Sequence, residues 1–421
     1  MTTDAPTRLA RRLGLFDAVV LGLGAMIGAG IFAAIGPAAR AAGPALLLGL
    51  VLAAFVSYCN ATSSAQLAAL YPESGGTYVY GRRRLGHLWG YLAGFGFVFG
   101  KLASCAAMAL TFGAYALPGH ERIAAAAAVA VLTFLDYRGV RKTARATAAI
   151  VLAVLLCLAG AVVAMVFGGT ADAARLIPTT PIDGAGVLQA GGLLFFAFAG
   201  YARIATLGEE VSDPARTIPR AIPLALGLAL GVYAIVLAAA LAAVGAEALA
   251  ASAAPLATAV EAGAGAAYAP ALRAGAAVAS LGVLLSLLVG VSRTAFSMAA
   301  AGDLPRFFAA VHPRFRVPHR AEVAVGLCVG AAVLVADLRE AIGFSSFAVL
   351  FYYGVANAAA LTLRPEERRW PRWIAAAGVA GCALLAFALP AASVMGGVAL
   401  FALASLAFAI TRRRRGSTAA R

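Results

Sequence analysis

An all-α polytopic membrane protein with about twelve transmembrane helices is the fold class that this sequence predicts. Three observations carry that expectation: a composition too apolar for water, a succession of apolar runs of spanning length, and a lopsided placement of Lys and Arg. Of the 421 residues, 62% are hydrophobic and 12% charged, against about 25% charged in soluble domains. A spanning helix needs about 20 mostly apolar residues, because the hydrocarbon layer is ~30 Å thick and a helix rises ~1.5 Å per residue. The 46 glycines and 18 prolines are tolerable in such a bundle, where neighbouring helices re-satisfy freed backbone groups.

Apolar runs bounded by charge or by Pro/Gly clusters place spans near 17–42, 45–70, 88–117, 122–137, 146–168 and 187–208. Six more fall near 221–244, 271–298, 321–337, 341–363, 373–389 and 392–411, the last two divided only by Leu389-Pro390-Ala391. With the N-terminus inside, the cytoplasmic segments hold 26 of the Lys and Arg residues and the external ones 5, namely Arg40, Arg122, Arg175, Arg273 and Arg339. That asymmetry follows the positive-inside rule and puts both termini in the cytoplasm. It also absorbs the net charge of +15 without a nucleic-acid partner. A cleaved signal peptide fits poorly: the first run is too long, and the charge alternation requires that it be retained. The loop near 245–270 reads as short and Ala-rich, and no segment resembles a soluble domain.

The five cysteines lie singly in apolar stretches, and the four histidines sit near span ends without an HExxH or Cys/His cluster. Neither a disulfide framework nor a metal site is expected, and no cofactor. The span interiors also lack a carboxylate or histidine constellation, so an enzyme is not expected.

Two spans carry helix-breaking sequence at similar depth. Gly22-Leu-Gly24-Ala-Met-Ile-Gly28-Ala-Gly30 begins the glycine cluster of span 1, about 12 residues or ~18 Å past Phe16 at Gly28. Phe195-Phe-Ala-Phe-Ala-Gly200-Tyr201 lies in span 6, with Gly200 ~20 Å past Val187. Breaks five spans apart are the spacing of inverted repeats with a site at their interface. An interrupted helix offers free amides where its second half begins, which suits a carboxylate. The end of its first half offers free carbonyls, which suit an ammonium group. Together the two fit a zwitterion. The alternative for Gly24-xxx-Gly28 is a small-residue packing face. A dinucleotide fingerprint is excluded by Ile27 and by the missing strand and acidic residue.

Several motifs, in order, resemble those of the amino acid, polyamine and organocation (APC) permease superfamily, whose members have the leucine-transporter-type fold. They are Gly24-Ala-Met-Ile-Gly-Ala-Gly-Ile-Phe32, Pro72-Glu-Ser-Gly-Gly-Thr-Tyr78, Tyr137-Arg-Gly-Val-Arg141, the span 6 sequence followed by Glu209-Glu-Val-Ser-Asp-Pro-Ala-Arg-Thr-Ile-Pro219, and Ser292-Arg293 through Ala301-Gly-Asp-Leu-Pro305. The resemblance implies a substrate carboxylate on the amides of Ile27, Gly28, Ala29 and Gly30, with Met26 nearby. It also implies an amino group facing the carbonyls of Phe196, Ala197 and Ala199 beside Gly200, and an aromatic gate from Phe198 or Tyr201. Two departures are visible: Val154 stands where proton-coupled relatives often carry a lysine, and Ala29 where a hydroxyl residue is common.

The expected organisation is a tail (1–16), a ten-helix core (17–363, repeats 17–168 and 187–363), two further spans (373–411) and a basic tail (412–421). The expected function is proton-coupled uptake of an amino acid across the inner membrane, with sodium as the alternative ion. Exchange of a cationic amino acid or polyamine, and a solute sensor in the membrane, are the competing readings. Lys101 is expected to be the coupling residue, because it lies about 14 residues or ~21 Å beyond His87, too deep to snorkel. An ammonium in hydrocarbon costs ~3 kcal/mol or more, so it is paired, functional, or loses its proton. Arg203, in the second half of span 6, faces Glu210 two turns on. Removing its charge in Arg203→Ala is expected to lower the yield of folded protein; lost affinity at normal yield would instead make it a substrate contact.

Overall fold

The computed structural model describes residues 13–28, 30–72, 75–139, 144–178, 181–201, 204 and 211–419. Ala29, Arg203, Glu210 and Arg141 therefore lie outside the described residues. Helices occupy every expected span. Span 1 is split into Leu15–Met26 and Gly30–Ala42, and span 2 is Leu46–Leu70. Spans 3, 4 and 5 are His87–Ala116, Glu121–Tyr137 and Ala144–Phe167. Span 6 runs Gly184–Phe198 before its break, and span 7 is Pro214–Ala251. Spans 8 to 12 are Ala269–Ala300, His319–Val335, Leu338–Leu361, Arg372–Ala388 and Ala391–Ala419. Among the described residues eight helical segments are long and apolar enough to cross a membrane by themselves. The protein is an all-α, multi-pass membrane protein.

Local chemistry sets the helix ends. Asp183 caps span 6 by accepting the amides of Ala185 (3.0 Å) and Gly186 (3.1 Å), and Asp337 caps span 10 through Glu340 N–H at 2.7 Å. Such caps satisfy amides that have no intrahelical partner. The divider at Leu389 is a true interruption: its ψ of 164° is extended, and Pro390 cannot continue the helix. Span 7 exceeds its expected limits at both ends and bends at Gly245, whose φ of 75° is open to glycine without strain. The stretch after it departs from the plain loop expected there. It folds into a helix, Pro255–Glu261, and a 3₁₀ segment, Ala264–Tyr268. Pro255 packs over Gly36 of span 1, and the Tyr268 hydroxyl donates to Cys157 O at 3.0 Å.

Spans 1, 2, 6 and 7 pack on one another, and spans 3, 4, 8 and 9 form a second group. Span 5 bridges the groups through spans 1, 7 and 8, while span 10 lies against spans 2, 3 and 6. Spans 11 and 12 both pack on span 10. The starts of the odd-numbered spans mark one end of the bundle, here called the N-terminal face.

On that face a short helix, Thr77–Arg84, joins spans 2 and 3. Its Tyr78 hydroxyl donates to Asp303 Oδ2 at 2.7 Å, and His87 Nε2 lies 3.0 Å from Asp303 Oδ1. Burial first, then the Asp303 carboxylate, push the Tyr78 hydroxyl up to about 12, so it remains a donor. The Asp303 side chain is 4% exposed, and through these two contacts it ties the joining helix and span 3 to the end of span 8. Hydrogen bonds to a charged group contribute roughly 1.5–3 kcal/mol. Asp303→Ala is accordingly expected to lower stability by about 2 kcal/mol, read as a lower unfolding midpoint in detergent, with Asp303→Asn recovering part of the loss.

Candidate functional site

The first helix of span 1 ends at Met26. Ile27 leaves helical geometry at φ −78°, ψ 36°, although its amide still reaches Leu23 O, and the second helix starts at Gly30. In span 6 the α-helix ends at Phe198 and continues as a 3₁₀ turn, Ala199–Tyr201. The Ala199 amide donates to Phe196 O, so that carbonyl already has one partner.

The two breaks touch through their backbones. A Cβ built on Gly200 would overlap the Ala25 carbonyl oxygen and lie 2.7 Å from Met26 N. One built on Gly30 would lie 2.7 Å from Ala197 Cα. Glycine is required at both positions because main chain meets main chain there. Gly28 differs: a Cβ there would overlap only the Val283 side chain of span 8.

Tyrosines fasten the junction. The Tyr233 hydroxyl of span 7 lies 2.6 Å from Met26 O and 3.0 Å from Ala197 O, so its single proton is shared between one carbonyl of each break. The Tyr353 hydroxyl of span 10 donates to Ala199 O at 3.3 Å. Sequence reasoning did not single out either residue. The available signal was weak: Tyr233 interrupts an aliphatic run, which marks a buried polar group in need of a partner.

A cavity of about 570 Å³ extends from the breaks to the N-terminal face. Met26, Gly30, Phe196, Ala197, Ala199 and Gly200 line it at the breaks, and Lys101 lines it from span 3. Gly75, Asp136, Gly139 and Val317 line it near the loops of the N-terminal face. Towards the opposite face none of the lining residues lies beyond Met108 in span 3 or Gly30 in span 1. The rings of Phe32 and Tyr115 meet edge to face at 5.6 Å, and the Tyr115 hydroxyl donates to Phe32 O at 3.4 Å.

The remaining expected site residues fall elsewhere. Ile27 and Gly28 are buried at the span 1 break but are not on the cavity wall. Phe198 and Tyr201, expected to form an aromatic gate, are fully buried away from the cavity. Phe198 packs edge to face on Tyr233 and Tyr201 lies against Tyr353, each with ring centroids 5.0 Å apart. The helical turn before the break rotates Phe196 onto the cavity wall instead, and both other rings anchor the break from behind. No group of three or more His, Cys, Asp or Glu side chains able to hold a metal occurs among the described residues.

Comparison with known proteins agrees with this architecture. The family described as amino acid permease matches residues 13–411. An uncharacterized transporter of Mycobacterium tuberculosis is 59% identical over 98% of this chain and 94% of its own length. A branched-chain amino acid permease of Bacillus subtilis is 26% identical over 90% of this chain and 86% of its own. Cationic amino acid transporter 4 of Homo sapiens is 30% identical over 87% of this chain and 61% of its own. With two interrupted helices in contact at the end of a one-sided cavity and a family match over almost its whole length, this chain belongs to the amino acid permease family, transporters of the APC superfamily.

Proposed function

We propose that the protein carries an amino acid across the cytoplasmic membrane by alternating access, driven by protons, with both termini in the cytoplasm. The observation that carries this reading is the contact between the two breaks at the inner end of a cavity that reaches one face only. In this orientation the N-terminal face is cytoplasmic and the conformation is open to the inside. Spans 1–5 and 6–10 act as inverted repeats that rock about the junction.

The substrate's carboxylate lies on the amides that open the second helix of span 1, where half a positive charge from the helix dipole favours an anion. Its ammonium group faces the carbonyls at the end of the first half of span 6. Tyr233 and Tyr353 occupy one lone pair each on those carbonyls and leave the second for the ligand. Lys101, on the wall of the same cavity, takes and releases the coupling proton. An ammonium in this layer is costly enough that its loading state biases which conformation is stable.

Two measurements test the reading. Gly28→Leu and Gly30→Leu are both expected to abolish substrate binding. Both are also expected to lower the folded yield, Gly30→Leu the more, because its side chain meets the Ala197 backbone whereas that of Gly28→Leu meets the Val283 side chain; a simple ligand-blocking role would have left folding intact in both. Normal transport by both variants removes the carboxylate site from this break. In proteoliposomes, Lys101→Ala is expected to lose accumulation driven by a pH gradient while exchange of saturating internal for external substrate continues, and replacing sodium by choline is expected to change neither. Undiminished proton-driven accumulation by that variant removes Lys101 from the coupling step.

A further inference from the structure

Span 3 presents one face to the cavity. Phe97, Lys101, Ser104 and Met108 recur at helical spacing along it, and all four line the wall. Lys101 is 8% exposed, and among the described residues its ammonium group makes no hydrogen bond or ion pair. Ser104 Oγ lies 2.6 Å from Ser345 Oγ of span 10 and donates to Gly100 O at 3.2 Å. The two hydroxyls hold two protons, of which their mutual bond uses one and Gly100 O the other, so that Ser345 holds Ser104 in place on the cavity wall. The nearby titratable groups are Cys105, one turn along span 3, and Tyr352 of span 10, whose ring is tilted against Phe97 at 5.3 Å and whose hydroxyl accepts the Thr77 amide at 3.0 Å.

Lys101 is level with the break in span 1. It lies ~21 Å into its helix, and Gly28 lies ~20 Å into its own, both measured from the N-terminal face. The one carboxylate among the described residues of the cavity wall is Asp136. It stands next to last in span 4, at the N-terminal face, whereas Lys101 lies midway along span 3. No side chain described there neutralises the ammonium group, so whenever Lys101 is protonated its charge requires another partner.

We propose that the ligand supplies that partner: the transported amino acid bears a carboxylate on its side chain, received by Lys101 with the Ser104–Ser345 pair beside it. The proposal rests on the amino acid reading above, which leaves the α-carboxylate and α-ammonium on the two breaks and directs the side chain to span 3. A cationic side chain would meet a like charge with no described carboxylate at that depth to offset it. An aliphatic one would leave the ammonium group unpaired. Because an ammonium and a carboxylate neutralise each other, a proton on Lys101 and an acidic substrate favour each other's binding, as linkage requires. Symport of the two then follows from one contact.

The test is equilibrium binding of radiolabelled glutamate to the purified protein, competed with aspartate, leucine and arginine. Glutamate or aspartate is expected to bind at least about tenfold more tightly than leucine or arginine, a result that needs no variant. Lys101→Met is expected to weaken acidic ligands by about 10- to 100-fold and to collapse the preference for acid over leucine, the range of a charged hydrogen bond. Lys101→Arg is expected to retain part of that preference. Wild-type protein that prefers leucine or arginine to both acids overturns the proposal. So does an equal loss for glutamate and leucine in Lys101→Met, which would put Lys101 on the α-carboxylate. Both of those results leave amino acid transport standing, whereas binding of none of the twenty amino acids removes the transport reading and this inference with it.

Discussion

The packing around the cavity is arranged on a contact between two stretches of main chain that have left the α-helix. At the junction of spans 1 and 6, Gly200 lies against the backbone of Ala25 and Met26, and Gly30 against Ala197. Bare backbone is expensive in a membrane, since each unsatisfied amide or carbonyl costs several kcal/mol where no water can reach it. The fold meets that requirement from three sides: the last helical hydrogen bond at Ile27, the 3₁₀ bond at Ala199, and hydroxyls from spans 7 and 10. Met26, Gly30, Ala197, Ala199 and Gly200 of the junction border a cavity.

This arrangement explains why the surrounding packing is so asymmetric. Behind the junction, Phe198, Tyr201, Tyr233 and Tyr353 form a tight aromatic support, all within 4% exposure. Deeper still, Asn357 Nδ2 of span 10 donates to Asn60 Oδ1 of span 2 at 2.6 Å, joining the two spans by a buried amide pair. In front lies open volume. A site that binds and releases a polar solute needs backbone groups held rigidly on one side and left free on the other, and the aromatic support provides that rigidity. The Asp303 tie on the N-terminal face plays a related part, because it links the helix between spans 2 and 3 to the end of span 8.

Lys101 is a charged side chain on the cavity wall midway along an apolar span. The surrounding helices are apolar on nearly every side, so its position cannot be a product of surface patterning. A cavity that is lined mainly by glycine, alanine and aliphatic side chains selects ligands chiefly by shape. Three charged side chains, Lys101, Asp136 and Arg293, interrupt that lining, and charge in such a place acts with an energy that depends on how well water is kept out.

Read from the chain alone, the order of the spans and the places of the two interruptions were accessible, because both are local properties. A spanning run is recognised by some 20 consecutive residues, and a break by glycines clustered within one or two turns. The 26-to-5 division of basic residues is likewise a property of sequence order. Rotation of each helix about its axis was not accessible. A helix that is apolar all round has no hydrophobic stripe to say which face looks inward, so Phe198 or Tyr201 was expected as the gate, whereas packing puts Phe196 on the cavity wall. The same holds for Tyr233, whose proton serves two segments 171 positions apart at Met26 and Ala197, and for the stretch after Gly245, which becomes helical only where Pro255 and Tyr268 find spans 1 and 5. Those choices are made by contacts between elements distant in sequence, and tertiary structure alone decides them.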